Sequence, residues 1–469
     1  MSVQLALTSA LSGLRTTQQQ AAMVSHNLAN ATTAGYVRRD LDLSAVTTAG
    51  RGAPNGAGVR VDAVARKVDE LLIRDARFET SRYSGQEARA SALADYALVL
   101  GQPQDEKSVS TQLSKLQQAF SRLHDMPNDD AARNAVVSQA TALAGGLNRV
   151  AEAAQTVQDD ARGRLQTSVD TVNTSLQRIS DLNGKIATLE TRGGDAGDLR
   201  DQRDRLLDQV SQEIGIRTYS REDGQVVVMT RNGQTLLDHP LAPGEQPLTL
   251  LGDEVMANGV ALSANPDSEI QSGRIMGYVQ TVKQDMPRAM AQLDELAAGL
   301  VQAFQGAEAD PTQPGLFTDA GAAYGATAGL ASRIAVNDAV RTESWRVQSG
   351  VQAAAPLQPG DQTQIETFQA VFTGTRSFAA TDMPANATLG SYATAMVSAQ
   401  QGYRTGAESE MNARKISADT LETARINRDG VNIDDEMQKL LLIEQSYGAS
   451  AQVVQVAGRM IDILLQIKG

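Results

Sequence analysis

Residues 3–36 read VQLALTSALSGLRTTQQQAAMVSHNLANATTAGY. Within them Val3, Leu7, Ala10, Leu14, Thr17, Ala21, Val24 and Leu28 recur at alternating spacings of four and three, which predicts a helix with one apolar stripe. The stripe stops near Asn30, where Thr32, Thr33 and Gly35 supply turn chemistry. At the other end, residues 453–467 read VVQVAGRMIDILLQI. Val453, Val454, Ala457, Met460, Ile461, Leu464 and Ile467 there form a broader stripe of helical spacing. No proline interrupts either segment. Neither helix buries its face alone, so the two ends read as halves of one device completed by pairing and by neighbours.

Composition narrows the class. The 469 residues suffice for two to four domains and a sizeable core. Aromatic residues make up only 4%, and Ala, Gln, Ser, Thr and Asp abound, which suits long exposed helices better than an enzyme core. A net charge of −13 disfavours nucleic acid and anionic lipid, both of which need a basic surface. The absence of cysteine excludes disulfides, thiolate metal sites and cysteine nucleophiles. It also suits a chain that passes unfolded through a channel, although chance explains it equally well. No cleavable signal and no apolar run long enough to span a bilayer is visible, so a cytosolic protein or one exported with its ends intact is expected.

All 13 prolines fall between Pro54 and Pro384, dividing proline-free ends from an interrupted middle. Residues 36–65 look extended, with Gly50, Gly52, Gly56 and Gly58 before the alternating Val59, Val61 and Val64. Residues 66–101 return to a helical pattern, and the strongest helical block runs from about 107 to 214. In that block Leu165, Val169, Val172, Leu176, Ile179, Asn183 and Ile186 keep a heptad rhythm. Asn183 either fixes register on that seam or faces solvent. After a loop at Gly193, Gly194 and Gly197, Asp198 is a candidate N-cap with Asp201 three residues on. Val226–Met229 followed by Asn232-Gly233 predicts a hairpin. A helix is expected over about 285–305, a small β-rich insertion over 310–388, and helix again from 390 with a break at Asp429-Gly430.

The expected fold is therefore mainly α with β-rich insertions. A long bundle or coiled coil forms where the N- and C-terminal helices converge. Residues 1–65 with 426–469 make an inner terminal domain. Residues 66–309 with 389–425 make a helical bundle carrying a small β element near 216–265, and 310–388 make an outer domain.

No catalytic constellation emerges. His26, His124 and His239 are scattered, without metal-type spacing. Asp195, Asp198, Asp201 and Asp204 are interleaved with Arg200, Arg203 and Arg205, which reads as a salt-bridged helix face rather than acid–base or metal chemistry. Arg425–Glu436 nearly fits a calcium loop, but Arg425 puts a cation where the first carboxylate ligand belongs. A glycine turn and a helix capped by Asn432 is the better reading. No P-loop, dinucleotide fingerprint or nucleophile elbow is present, so neither enzyme, cofactor nor metal is expected.

The turn Ala29-Asn30-Ala31-Thr32-Thr33-Ala34-Gly35-Tyr36 resembles the A-N-x-x-T-x-G-Y signature of bacterial flagellar rod, hook and hook-associated proteins, with every fixed position matched. The C-terminus, from Gly430-Val431-Asn432 through Asp435-Glu436, Gln445, Tyr447, Ala451 and Val454 to Leu464-Leu465, is similar to the terminal helix of that group. Residues 198–207, DLRDQRDRLL, resemble the D-L-x-D-Q-R-D-x-L segment of the hook-associated protein 1 family, and so does the long helical block that precedes them. The resemblance covers most of residues 1–310 and 390–469; residues 310–388 carry no matching motif and are short for the family.

That resemblance implies a structural adaptor at the junction of hook and filament, outside the cell. It implies export through the flagellar type III apparatus without signal cleavage. The implied partners are the hook protein, a second junction protein (hook-associated protein 3), further copies in a helical ring, and an export chaperone at the C-terminal helix. Neither nucleic acid nor membrane insertion is implied. The terminal helices are expected to be disordered or only partly ordered in the monomer and to fold into an inner coiled-coil layer on assembly, with Leu7, Leu14, Val24 and Leu28 packing against Val454, Ile461 and Leu464. Asn30, Thr33, Gly35 and Tyr36 would shape the turn, Gly35 through a positive φ. A hook or distal-rod protein is the nearest alternative. A membrane-inserting translocator lacks its apolar hairpin here, and a soluble enzyme lacks its polar constellation.

Overall fold

The computed structural model describes residues 3–48, 55–262 and 270–467; Gly50 and Gly52 lie outside them. The chain opens with helix α1 (Val3–Ala29), followed by a hairpin of β1 (Arg39–Thr48) and β2 (Asn55–Arg66). Three helices follow: α2 (Glu70–Leu100), α3 (Val109–Asp125) and α4 (Asp130–Thr191). Helix α5 (Gly197–Glu213) leads into two three-stranded antiparallel sheets. The first holds β3 (Ile216–Ser220), β4 (Val226–Thr230) and β5 (Thr235–Leu237). The second holds β6 (Leu248–Leu251), β7 (Glu254–Ala257) and β8 (Val260–Leu262). Helix α6 (Arg274–Gln280) continues through a π-helical turn, Thr281–Asp285, into α7 (Met286–Gly306).

Next come β9 (Phe317–Asp319), α8 (Leu330–Arg333), β10 (Ile334–Val336), α9 (Asp338–Thr342), α10 (Arg346–Ser349), α11 (Thr363–Thr373), β11 (Arg376–Ser377) and β12 (Asn386–Ala387). Helices α12 (Leu389–Asp429) and α13 (Ile433–Ile467) return along the starting elements: α12 packs on α2, and α13 on α1. The molecule is mainly helical, and its two ends converge.

Helix α4 runs 62 residues, about 93 Å at 1.5 Å per residue. It contains no proline, and Asp129 caps its start by accepting from the Ala131 N–H at 2.8 Å. Its first half belongs to an aromatic core in which Phe120, Phe304 and Phe368 meet at centroid distances of 5.7 to 5.8 Å. Its second half buries Leu165, Val169, Val172, Leu176 and Ile179 in a second core with the two sheets, α5 and α6.

The heptad seam is thus shared between a helical partner and sheets. Asn183, on that seam, does not face solvent. It is buried, its Nδ2 donates to the Val226 carbonyl at 2.9 Å, and its Oδ1 accepts from the Val226 N–H at 3.1 Å. Asn173 holds Leu248 of the second sheet by the same two-way pairing, at 2.7 and 3.0 Å. Each asparagine acts as a strand-like partner presented from a helix. Asn183→Ala should therefore cost about 1–3 kcal/mol, because it strands two buried backbone groups; urea unfolding measures it.

Two further expectations change. Helix α5 starts at Gly197 with Ala196 in the cap position and no side-chain cap bond, so Asp198 lies inside the first turn rather than capping it. Residues 310–388 are not β-rich: their strands span two or three residues each, and α11 is their longest element. Phe317, Phe368 and Phe372 of this region pack into the aromatic core with Phe120 and Phe304. Helical spacing of Ile365, Phe368 and Phe372 wins over the weak strand signal at Val371.

Candidate assembly interface

The chain leaves α1 through the Asn30–Tyr36 turn. Asn30 Nδ2 donates to the His26 carbonyl at 2.9 Å, and Thr33 Oγ1 donates to Asn30 Oδ1 at 3.4 Å. Gly35 takes φ +72°, and a Cβ there would lie 2.8 Å from Arg205 Cγ. Gly35→Ala is expected to cost about 1–3 kcal/mol through this strained backbone, read as a lowered urea midpoint. Tyr36 folds back, its hydroxyl donating to Asn27 Oδ1 at 2.8 Å and lying 2.9 Å from His26 Nδ1. Burial pushes its phenol up to about 12, with Arg39 opposing.

Asn27 is the hub of this turn. It is 1% exposed, and its amide makes four hydrogen bonds. Nδ2 donates to the Arg39 carbonyl (2.8 Å) and to Glu436 Oε2 (3.0 Å); Oδ1 accepts from Tyr36 and from the Arg39 N–H (3.1 Å). Glu436, fully buried at the start of α13, also meets Arg38 at 3.5 Å and Lys439 at 3.3 Å. One residue from each end of the chain is thus locked to the hairpin between them. The end of α12 adds a second lock. The Arg38 N–H donates to the Asp429 carbonyl at 2.9 Å, and the Asp69 N–H to Asp429 Oδ1 at 3.0 Å.

Helix α5 forms the base on which these parts sit. Its aspartates do pair with arginines, but not with those beside them in sequence. Arg200 instead meets Glu190, Arg203 bonds Asn183 Oδ1 and the Gly224 carbonyl, and Arg205 reaches the Ala34 carbonyl.

The aspartates take arginines from four other elements or their edges. Arg39 of β1 meets Asp198 (2.5 Å) and Asp201 (3.0 Å), and Arg66 of β2 meets Asp201 (2.8 Å) and Asp204 (2.5 Å). Arg77 of α2 meets Asp204 and Asp208 (3.4 and 2.5 Å), and Arg425 of α12 meets Asp208 (2.9 Å). Spacings of three and four place the four carboxylates along one face of α5. The ladder holds hairpin, α2 and α12 in a fixed order.

Burial pushes the Asp201 carboxyl up, and Arg66 and Arg39 offset only part of that. Burial acts on Asp204 too, but Arg77 and Arg66 outweigh it and hold the carboxyl below its usual range. A depressed folded-state pKa gives stability that is present above the ordinary carboxylate pKa, near ~3.9, and lost as pH falls through the lower value. Asp204→Asn should cost about 1.5–3 kcal/mol at neutral pH, with the deficit flat down to about pH 5 and closing below about pH 4. Urea titrations of both proteins across that range test it.

Of the apolar residues singled out from sequence, Val24 is buried, and Leu7, Leu14, Leu28, Val454 and Ile461 are half-buried where α1 and α13 pack. The side chain of Leu464 lies outside the described residues. A different face of α13 stays open: Val456, Met460 and Ile463 are 48%, 51% and 55% exposed. It lies about a third of a turn round the helix from Val454, Ala457 and Ile461. An open groove of ≈ 520 Å³ runs between Val3 and Ala6 of α1 and Val453, Val456 and Met460 of α13. A smaller cavity, ≈ 310 Å³, lies beside Asn27 and Glu436 and is lined by Met23, Leu442 and Ile443.

Sequence reasoning missed Asn27, Glu436 as a buried partner, and the four remote arginines. Asn27 carried a signal, being a polar residue immediately before the last apolar position of the stripe.

A family profile described as flagellar hook-associated protein FlgK helical domain matches residues 99–311, and one described as flagellar basal body rod FlgEFG protein C-terminal matches residues 424–467. Flagellar hook-associated protein 1 of Bacillus subtilis (strain 168) is 25% identical over 525 aligned positions, covering 99% of each chain. The Escherichia coli (strain K12) protein of the same name is 24% identical, covering 64% of this chain and 56% of its own. The flagellar hook junction protein FlgK of Burkholderia pseudomallei superposes with a TM-score of 0.44 at 20% identity, over 52% of this chain and 46% of its own.

Proposed function

This chain belongs to the flagellar hook-associated protein 1 family, and we propose that it is the adaptor on which the filament is built at the end of the hook. The family is structural rather than enzymatic. The observation that carries the reading is the uncovered face of α13. Helices α1 and α13 pair along one seam, yet Val456, Met460, Ile463 and the upstream Leu441 and Leu442 remain open. A row of exposed apolar side chains on one helix face of this kind marks a contact with other chains. An adaptor needs two unlike ends, and head-to-tail stacking on an open helical lattice uses heterologous contacts.

In this reading Leu7, Leu14, Val24 and Leu28, with Val454, Ile461 and Leu464, form the inner packing. Asn30, Thr33, Gly35 and Tyr36 direct the chain out of it. The hook protein lies on one side and a second junction protein on the other, with further copies alongside. An export chaperone covers the C-terminal helix before passage through the type III apparatus, as an amphipathic helix in a groove. The protein then works outside the cell.

The test is a deletion strain viewed by electron microscopy, with purified protein added back. Bare hooks, free filament subunit in the medium and filament growth after add-back are expected. Missing hooks would move the protein inward to the rod or hook, and normal flagella would sink the assignment.

A further inference from the structure

Beside α2, two arginines meet one aromatic ring and two more lie near them. Arg231, just past β4, stacks over Phe78 with its guanidinium carbon 3.6 Å from the ring centroid, and Arg82 lies 5.4 Å from the same centroid. Arg217 pairs with Met229, two residues before Arg231, which puts both arginines on one face of the β3–β4 ladder; burial, then Arg217, Arg74 and Arg82, push the Arg231 guanidinium down, with Asp75 opposing. The fold makes the juxtaposition. Ser81 of α2 is bonded to Ser272 at 2.8 Å, Ser272 accepts from Gly215 at 3.1 Å, and β3 begins at the next residue. Arg217 and Tyr219 then share one exposed face of β3.

Local carboxylates neutralise only half of the cluster. Arg74 pairs with Asp75 and Arg82 with Glu79, both at 2.9 Å. Among the described residues, Arg217 and Arg231 form no ion pair. Crowded like charge is unfavourable unless an anion covers it, and a chain of net charge −13 offers carboxylates in excess. Arginine, tyrosine and phenylalanine together are also the residue types enriched at protein contacts.

We propose that this arginine–Phe78 surface is a contact between copies of the chain, and that it takes the Asp434–Asp435 pair of a neighbour. It rests on the assembly reading above. Asp434 and Asp435 are consecutive, exposed and without an ion pair among the described residues, and their N–H groups are fixed by Asn432 Oδ1 at 3.0 and 3.4 Å. Two adjacent exposed carboxylates on a backbone fixed by Asn432 match the charge of two unpaired guanidiniums. The exposed Asp160, Asp170 and Asp181 of α4 do not, because spacings of ten residues or more put them about 15 Å or more apart. The contact is heterologous, since the two patches lie on different parts of the chain.

The add-back assay tests it by charge exchange. Arg217→Glu with Arg231→Glu should lower the number of filament-bearing hooks roughly tenfold, and so should Asp434→Arg with Asp435→Arg. The chain carrying all four changes should recover wild-type numbers. Wild-type numbers from either reversed pair alone, or no recovery in the fourfold variant, would overturn the contact. Failure of wild-type add-back would instead overturn the assembly reading. Because the chain has no cysteine, Arg217→Cys with Asp435→Cys supplies a readout independent of charge. A ladder of disulfide-linked dimers and higher multimers should form in assembled junctions, and its absence there would also overturn the proposal.

Discussion

Arg39→Ala will loosen the terminal module from the helical body, at a cost of about 3–5 kcal/mol. Arg39 is 4% exposed and meets Asp201, whose side chain is equally buried. Truncating it leaves that carboxylate with Arg66 alone, in a place where burial already pushes its pKa up. Breaking a buried pair from one side costs more than the pair itself contributes, because the remaining charge stays out of water. Arg39 also stacks against the Tyr36 ring at 5.3 Å, so packing is lost with the charge.

Arg39→Lys keeps the charge but not the planar guanidinium, whose Nη2 meets both Asp198 and Asp201 and whose plane lies by the Tyr36 ring, and should recover only part of the loss. Asp201→Asn in the alanine background should recover another part by removing the stranded charge. Urea unfolding gives the size. Limited proteolysis gives the place, with cleavage expected first in the β1–β2 hairpin. Unchanged cleavage and an unchanged midpoint in Arg39→Ala would mean that the ladder does not hold the module.

This ladder also marks where sequence reading stops. The aspartates at 198, 201 and 204 announce one charged face of a helix through spacing alone, and that face is real. Their partners are invisible to spacing, because Arg39, Arg66, Arg77 and Arg425 approach from elements separated by up to hundreds of residues. Local arginines at 200, 203 and 205 point round the helix to other acceptors. The same limit applies to Asn183, whose heptad position is legible but whose partner is a strand edge.

Long periodic elements were readable because their signal is repeated many times. Helix α1, the block from α3 to α5 and the return of α12 and α13 all follow from apolar spacing, with Pro127, between α3 and α4, the one proline inside them. Residues 310–388 were poorly readable, because all their elements but the 11-residue α11 span two to five residues, too few positions to set a period. Their fold is fixed by Phe317, Phe368 and Phe372 reaching a core built by other helices.

Val456→Asp with Met460→Asp will leave a folded, soluble monomer that does not support filament growth. The two residues lie on the open face of α13, so the charges meet water in the monomer and stability should stay within about 0.5 kcal/mol per site of wild type. In an assembled lattice the same charges would be buried against apolar surface, at several kcal/mol each by order of magnitude. Leu14→Asp and Ile461→Asp should also block assembly but are less informative, because both side chains are half-buried where α1 and α13 meet. They should melt the helix pair as well.

These variants separate two roles that apolar periodicity merges: the seam that joins the ends of one chain, and the open face proposed to meet the next chain. Circular dichroism should show native helix content for the Val456, Met460 pair and a loss for the Leu14 and Ile461 variants. Add-back to the deletion strain should yield bare hooks for all of them. Normal filaments from the Val456, Met460 pair would mean that the open face of α13 plays no part in assembly, and that the exposed row must be covered by something other than a neighbouring subunit.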